Sequence, residues 1–250
     1  LLAHEVGVCR YKGQEGMIGR DTIFLTPQQA LEAVCIDFRR YEPQIMLFSE
    51  VLRVISDNNA VIKQEAEKEG RWVAAEPGSK MVWLDGRALG ELVCSAVHEK
   101  DLSEDAILSI CRRVFQTRAY PGSDPQSNQK GIFIETGMEA FCCRQCGDCC
   151  KFLDYHDALT TADVKRWEQL GRKDVLAWVG ISRRADRAPS YRIWVEPGST
   201  KLAKQCPFLE HLPAENRWSC RIHNVKPHIC REYPVSRKHG TMTGCPGFSS

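Results

Sequence analysis

The stretch "CCRQCGDCC", residues 142–150, places five cysteines in nine positions. Thiolate is the form of cysteine that binds metals, and crowded thiolates repel one another unless a cation neutralises them. Cys143, Cys146, Cys149 and Cys150 follow the spacing C-x2-C-x2-C-C. Two-residue gaps let a tight turn aim successive sulfurs at one point, and Gly147 permits the positive φ that such a turn often needs. The stretch therefore predicts a metal site.

The adjacent pair Cys149 and Cys150 constrains how many metals such a site holds. In an extended backbone, neighbouring side chains point to opposite sides. We therefore expect the pair to serve two centres, or one centre and something beside it. A vicinal disulfide is the strained alternative.

The distribution of cysteine along the chain indicates a reducing compartment. Of 13 cysteines in 250 residues, nine lie between positions 142 and 245. A small secreted disulfide scaffold would spread its cysteines along a short chain. The first ten residues, "LLAHEVGVCR", lack the charged head and long apolar stretch of a signal peptide. These features favour metal or cluster binding and a cytoplasmic location.

Composition excludes several classes of partner. The hydrophobic fraction of 43% and the charged fraction of 26% are those of an ordinary soluble protein. The net charge of +2 gives no overall field that would recruit nucleic acid or an anionic membrane. No apolar run is long enough to span a bilayer. We therefore expect neither nucleic acid nor a membrane span, and look to a protein partner.

The C-terminal tail supplies four more thiols, in "CPFL", "SCRIH", "HICREYP" and "GCPGF". From residue 205 onward the segments are short and punctuated by Pro, Gly and Cys, too irregular to fold on apolar burial alone. Metal binding would supply the missing folding energy. Four local ligands and four distant ones are enough for two four-thiolate sites. The predicted metal ligands are Cys143, Cys146, Cys149, Cys150, Cys206, Cys220, Cys230 and Cys245.

Helical periodicity dominates the first half of the chain. Residues 25–41 carry apolar positions at helical spacing, with Thr26 as the N-cap and Pro27 at the first helical position. Further helices are predicted over residues 43–56, 60–70, 87–100 and 103–118, the last capped by Ser103, and a hairpin over 71–86. The early cysteines lie among apolar residues at no ligand spacing and are expected to be buried hydrophobes: Cys9, Cys35, Cys94 and Cys111.

A change in composition and apolar periodicity divides the chain. The segment "YPGSDPQSNQKG", residues 120–131, has no apolar periodicity and predicts a linker. Beyond it we predict strands over 130–137 and 191–198 and a helix over 159–171, capped by Thr160 or Thr161. The predicted organisation is a helical docking domain over residues 1–119, a linker over 120–130 and a cysteine-cluster domain over 131–250. The fold class is α+β: a mainly helical N-terminal half followed by an irregular, metal-stapled, cysteine-rich domain.

The spaced motifs of the second half resemble a known family. "CRQCGDCC", "LTTADV", "CPFL", "CRIHNVKPHICREYP" and "CPGF" occur in the order found in the YkgJ-like cysteine-cluster family, described as zinc- or iron-chelating. The resemblance covers roughly residues 131–250. In the third motif, His223 stands where the family usually has Tyr, and Lys226 stands where it usually has Arg. A related cluster occurs in flagellin lysine N-methylases, where it is thought to be iron–sulfur.

The spacing favours an iron–sulfur cluster over zinc. Structural zinc ribbons usually present two separated C-x2-C knuckles, whereas this chain has one dense run and then isolated cysteines, closer to a [4Fe–4S] cluster with remote ligands. One or two such clusters are expected, with zinc as the alternative. Because a four-thiolate cluster is net negative, a neighbouring cation should face it. Arg231, in the family-like "CREYP" motif, is the best candidate for that cofactor contact.

Three functions remain open from the sequence. The first is an iron–sulfur protein serving as an electron-transfer, accessory or maturation subunit of a larger redox assembly, docked through the helical half. The second is an enzyme, methylase-like or otherwise, that uses an open iron–sulfur site. The third is a zinc-stapled protein-interaction module. No residue can be singled out as catalytic.

Overall fold

The computed structural model describes residues 21–184 and 187–248, so Cys9 lies outside the described residues. The chain divides into two compact units, Leu1–Glu139 and Ala140–Ser250. Helices and several small antiparallel sheets occur together, which confirms the α+β class. Among the described residues, no helix combines the length and apolar composition that a membrane crossing demands.

The first unit contains four helices and two three-stranded antiparallel sheets within its described residues. One sheet has the order β1–β6–β5 and the other the order β2–β3–β4. The elements are β1 (Thr22–Leu25), α1 (Pro27–Arg40), α2 (Ile45–Ile55), β2 (Val61–Lys63), β3 (Arg71–Ala74), β4 (Val82–Leu84), α3 (Gly86–Glu99), α4 (Glu104–Phe115), β5 (Ala119–Ser123) and β6 (Lys130–Glu135).

Local capping explains where these helices begin. The Thr26 hydroxyl accepts a hydrogen bond from the Gln29 amide, and the Gln29 side chain accepts one from the Thr26 amide, which forms a capping box. Ser103 accepts from the Ala106 amide at the start of α4. The predicted caps and the helices they begin are confirmed, as are α2, α3 and the β3–β4 hairpin.

Three of the four early cysteines lie in the core of this unit. Cys35, Cys94 and Cys111 are 2%, 6% and 0% exposed and belong to the hydrophobic cluster that the helices form. Phe38 and Phe48 meet edge to face in the same cluster, with ring centroids 4.7 Å apart. The expectation that these cysteines act as buried hydrophobes is confirmed for the three that the structure describes.

The predicted helix over residues 60–70 is wrong. Val61 to Lys63 form strand β2, paired with β3. The following charged run turns back on itself, with Glu67 at φ 63 and the Trp72 indole N–H donating to the Glu65 carboxylate. β-branched residues at the start of the segment favour a strand, and the charged run that follows has no apolar face to bury as a helix.

The predicted linker over 120–130 differs from what the structure contains. Residues 119–123 and 130–135 are the antiparallel strands β5 and β6, and the boundary between units falls after Glu139. Tyr120 stacks on Phe133 with ring centroids 5.6 Å apart. Strand β5 is the edge of its sheet, where Pro121 is tolerated because an edge strand leaves some amides unpaired. The loop-like composition of this segment therefore did not predict strand β5.

The second unit is built from short helices and two β-hairpins around a small apolar core. Hairpins pair β7 with β8 and β9 with β10. The elements are α5 (Asp148–Lys151), α6 (Thr161–Gln169), α7 (Lys173–Leu176), β7 (Gly180–Arg184), β8 (Arg187–Arg192), β9 (Leu209–Leu212), β10 (Arg217–Cys220), α8 (His228–Glu232) and α9 (Arg237–Met242). The Thr160 cap of α6 is confirmed, whereas the strand predicted over 191–198 ends at Arg192.

The tail after residue 205 contributes buried apolar residues to the core of the second unit. Its segments are short, as expected, but Phe208, Ile222 and Val225 are 6%, 2% and 6% exposed and share a core with the fully buried Trp167. The Trp167 indole N–H donates to the Val225 carbonyl over 2.8 Å. Apolar burial, widely spaced in sequence, thus contributes to the order of this tail.

Candidate metal centre

The cysteine-rich loop ends in a tight turn and one turn of helix. Gly147 has φ 76 and caps α5, and the amides of Cys150 and Lys151 donate to its carbonyl over 2.9 and 3.1 Å. A Cβ on Gly147 would lie 2.8 Å from Cγ of Trp218 on β10. The predicted role of Gly147 is therefore confirmed, and the close approach fixes the loop against the β9–β10 hairpin.

Cys149 and Cys150 do not diverge as the extended-backbone argument expects. They are consecutive residues of α5, and their Sγ atoms are 4.0 Å apart. A helix rotates successive side chains by about 100° rather than 180°, so adjacent residues there can present their sulfurs on one side. The premise that adjacency forces the two thiols apart is wrong for this backbone.

Backbone hydrogen bonds bring the tail to the loop. The Cys206 amide donates to the Cys150 carbonyl over 2.8 Å, and the Trp218 amide donates to the Gln145 carbonyl over 2.8 Å. Trp218 lies two residues before Cys220, the last residue of β10. The segments that carry Cys206 and Cys220 therefore lie against the cysteine-rich loop.

Each of the eight predicted ligand thiols either changes the pKa of another thiol of the set or has its own pKa changed by one. The Cys149 thiolate would raise the pKa of the Cys146, Cys220, Cys230 and Cys245 thiols. Cys206 likewise raises the pKa of Cys150, and Cys143 raises the pKa of Cys245. Among the described residues, seven of these side chains are partly buried, and Cys143 is exposed.

Burial and mutual repulsion favour the protonated form of six of these thiols in the absence of a metal. Burial raises the pKa of Cys146 to about 11, and it raises the pKa of Cys220, Cys230 and Cys245 as well. The pKa of Cys150 rises to about 12: the hydrogen bond from Cys149 lowers it, but the Cys206 contact and burial outweigh that effect. The same Cys149–Cys150 hydrogen bond, followed by burial, raises the pKa of Cys149.

The chemistry of this donor set fits a soft metal. Thiolates select zinc and iron–sulfur clusters, and a bound cation would reverse the repulsion that raises these pKa values. Among the described residues, no three His, Cys, Asp or Glu side chains already stand where one metal ion would bind. Metal binding would therefore draw the partly buried sulfurs closer together.

Lys226 is a positive side chain that affects thiols of three separate segments. It lowers the pKa of Cys149, Cys220 and Cys230, although burial and neighbouring thiols dominate each value. The Arg166 guanidinium donates to the Lys226 carbonyl over 3.0 Å and so anchors its backbone. Lys226 occupies the position where the family pattern has Arg. The motif therefore already indicated a positive side chain at this position.

Arg231 lies at a junction between helices. Its Nη2 atom is 3.8 Å from Oδ1 of Asp163, a carboxylate that is 2% exposed. Asp163 also accepts from the Thr160 hydroxyl over 2.7 Å and from the His228 amide over 2.8 Å, and so ties the start of α6 to the start of α8. The predicted contact of Arg231 with a cofactor stays a prediction.

Comparison with known families identifies this part of the chain. Residues 142–246 match the family CxxCxxCC, described as "Putative zinc- or iron-chelating domain". The predicted resemblance to a cysteine-cluster family is thereby confirmed for this segment. Neither a curated protein nor a solved structure matches the chain.

Proposed function

We propose that the second unit binds a metal–thiolate centre through eight cysteines. One observation carries the proposal: backbone hydrogen bonds join the tail to the cysteine-rich loop, from the Cys206 amide to the Cys150 carbonyl and from the Trp218 amide to the Gln145 carbonyl. The early cysteines Cys35, Cys94 and Cys111 lie instead in the core of the first unit. The proposed ligands are Cys143, Cys146, Cys149, Cys150, Cys206, Cys220, Cys230 and Cys245.

An iron–sulfur cluster is the cofactor we favour, one [4Fe–4S] cluster or two. The support is the single dense run of cysteines followed by isolated remote ones. When bound, such a cluster supplies one-electron chemistry. The thiols are only partly buried, and Cys143 is exposed, so the centre would be accessible to a redox partner. We infer an electron-transfer, accessory or maturation role within a redox assembly.

Zinc is the second candidate, because one distance favours it. A zinc ion bonded to thiolates at about 2.3 Å in a tetrahedron separates its sulfurs by about 3.8 Å. Cys149 and Cys150 have Sγ atoms 4.0 Å apart, close to what two ligands of one ion need. In that case the metal would be structural, and the protein would serve as an interaction module.

The first unit is proposed as the partner-binding part. Ile36 on α1 and Met46 on α2 are 54% and 63% exposed although both are apolar. A protein partner that covers these side chains would bury apolar area.

Anaerobic purification of the full chain followed by iron, sulfide and zinc analysis tests the proposal. We expect a brown protein with equal amounts of iron and sulfide, depleted of both by Cys149→Ser or Cys220→Ser but not by the matched core variant Cys111→Ser. A colourless protein with stoichiometric zinc would instead support the second candidate. A cluster with one spectroscopically distinct iron would favour the enzymatic alternative. Retention of no metal by the wild type would reject a metal function altogether.

A further inference from the structure

Tyr155 has a hydroxyl group that the fold leaves without a partner. The residue follows α5 by four positions, and its ring packs against the apolar core of the second unit. The ring centroid lies 5.9 Å from that of Tyr233. The Tyr155 hydroxyl is buried and has no hydrogen-bond partner among the described residues. Buried hydroxyl groups without a partner are uncommon in folded proteins, and each calls for an explanation.

The surroundings of this hydroxyl include the proposed ligands. Burial is the largest cause that raises the pKa of Tyr155. Tyr233 raises it as well, and so do the ionised thiols of Cys149, Cys230 and Cys150. The tyrosine packs on the same apolar core as Cys206 and Cys220. Its hydroxyl is therefore buried within electrostatic reach of sulfurs from both α5 and α8.

In the metal-free protein, no described sulfur is placed to accept a hydrogen bond from this hydroxyl. Neutral thiols are weak hydrogen-bond acceptors, whereas ionised acceptors form hydrogen bonds roughly twice as strong as neutral ones. A metal deprotonates its cysteine ligands and so turns poor acceptors into good ones. Tyr233 differs, because its hydroxyl already has partners: it is hydrogen-bonded to Thr243 Oγ1 over 2.8 Å and also interacts with the Cys245 thiol.

We propose that the Tyr155 hydroxyl donates a hydrogen bond to a sulfur of the bound metal centre and thereby stabilises the metal-loaded state. This inference rests on the proposed metal-binding function. It assigns Tyr155 as a positioning residue of the centre, and it predicts opposite effects of one substitution in two states. Tyr155→Phe removes an unsatisfied donor from the metal-free protein but a satisfied one from the metal-loaded protein.

The experiment uses the full chain and two tyrosine variants. Tyr155→Phe is compared with Tyr191→Phe, because Tyr191 is a partly buried tyrosine packed on the same core. For each protein, affinity is measured anaerobically with Co²⁺ against a competing chelator, and iron retention is measured after reconstitution with Fe²⁺ and sulfide. Urea unfolding of the metal-free proteins is recorded alongside.

We expect Tyr155→Phe to bind Co²⁺ on the order of tenfold more weakly than the wild type, as is typical when a group that supports metal ligands is removed. Its metal-free form should unfold at the same or a higher urea concentration, which also shows that the variant folds. Tyr191→Phe should match the wild type in affinity. Equal affinities for Tyr155→Phe and Tyr191→Phe would overturn the inference but leave the metal function standing. Failure of the wild type to take up either metal would reject both.

Discussion

Lys226 shows how a single side chain affects the chemistry of a thiol set that lies elsewhere in the sequence. It lowers the pKa of thiols from α5, β10 and α8. Its ammonium group favours the thiolate forms that a metal requires. Cys220 and Cys230 lie in the same sequence motif as Lys226, but Cys149 lies 77 positions before it, and the local sequence does not reveal that interaction.

Replacing Lys226 should make metal binding more sensitive to acid. In Lys226→Gln the pKa values of Cys149, Cys220 and Cys230 rise further, so protons compete better for the sulfurs. We expect the pH of half-maximal zinc release to shift upward and the affinity at pH 7 to fall roughly tenfold. Chelator competition across a pH series measures both.

Two variants control for the loss of charge. Lys226→Arg, which restores the usual residue of the family, should stay close to the wild type. Lys165→Gln removes a charge from an exposed position of α6 and should change neither quantity. A release curve for Lys226→Gln that superimposes on the Lys165→Gln curve would contradict the assigned role of Lys226.

Among the elements, the turn before α5 decides where the first four thiols point. Gly147 and Gly171 both have a positive φ, 76 and 63. A Cβ added to Gly147 would meet Trp218 and Lys151, whereas a Cβ added to Gly171 would have no described atom within 4 Å. An alanine would therefore strain the backbone at either site, but only at Gly147 would it displace neighbouring side chains.

This pair of glycines gives a matched experiment. Gly171→Ala should lower stability by about 1–2 kcal/mol through the left-handed backbone and leave metal content unchanged. Gly147→Ala should in addition push Trp218 away and misplace the loop, so the purified variant should hold much less than the wild-type amount of metal. Metal analysis and urea unfolding distinguish the two effects. Full metal content in Gly147→Ala would argue against a close fit between the loop and β10.

The contact between α6 and α8 depends on one buried carboxylate. Asp163→Ala removes the acceptor for the Thr160 hydroxyl and the His228 amide. We expect the metal-free protein to lose roughly 2–4 kcal/mol of unfolding free energy, from a lost cap and an unpaired amide. Asp174→Ala, which breaks an exposed ion pair with Arg172, should cost less than about 1 kcal/mol. Equal urea midpoints for the two variants would show that the junction is not important for stability.

For the whole molecule, the two units should respond differently to metal removal. The first unit has an apolar core formed by four helices, whereas the second has a smaller core and bonds its tail to the cysteine loop. Chelation should therefore speed hydrogen exchange at the Cys206 and Trp218 amides and expose the tail to proteases. Amides of α1 and α3 should keep their protection. A tail that resists protease equally with and without metal would contradict this.

The sequence by itself indicated the cysteine-cluster segment and most of the long helices. Cysteine spacing pointed to the segment that matches a zinc- or iron-chelating family, and caps such as Thr26 and Ser103 located helix starts, because both are local patterns. The partners of a β-strand are not encoded locally, so local patterns predicted a helix at strand β2 and a linker at strand β5.

Only the tertiary structure decided how the thiols and their neighbours meet. The α5 turn places Cys149 and Cys150 side by side, hydrogen bonds bring Cys206 to the loop, and Asp163 draws Arg231 to the junction of α6 and α8. The burial of the Tyr155 hydroxyl and the approach of Lys226 to the thiols likewise arise only when distant segments pack. The physical reason is that burial and electrostatic interaction depend on distance in space, which the order of residues along the chain does not specify.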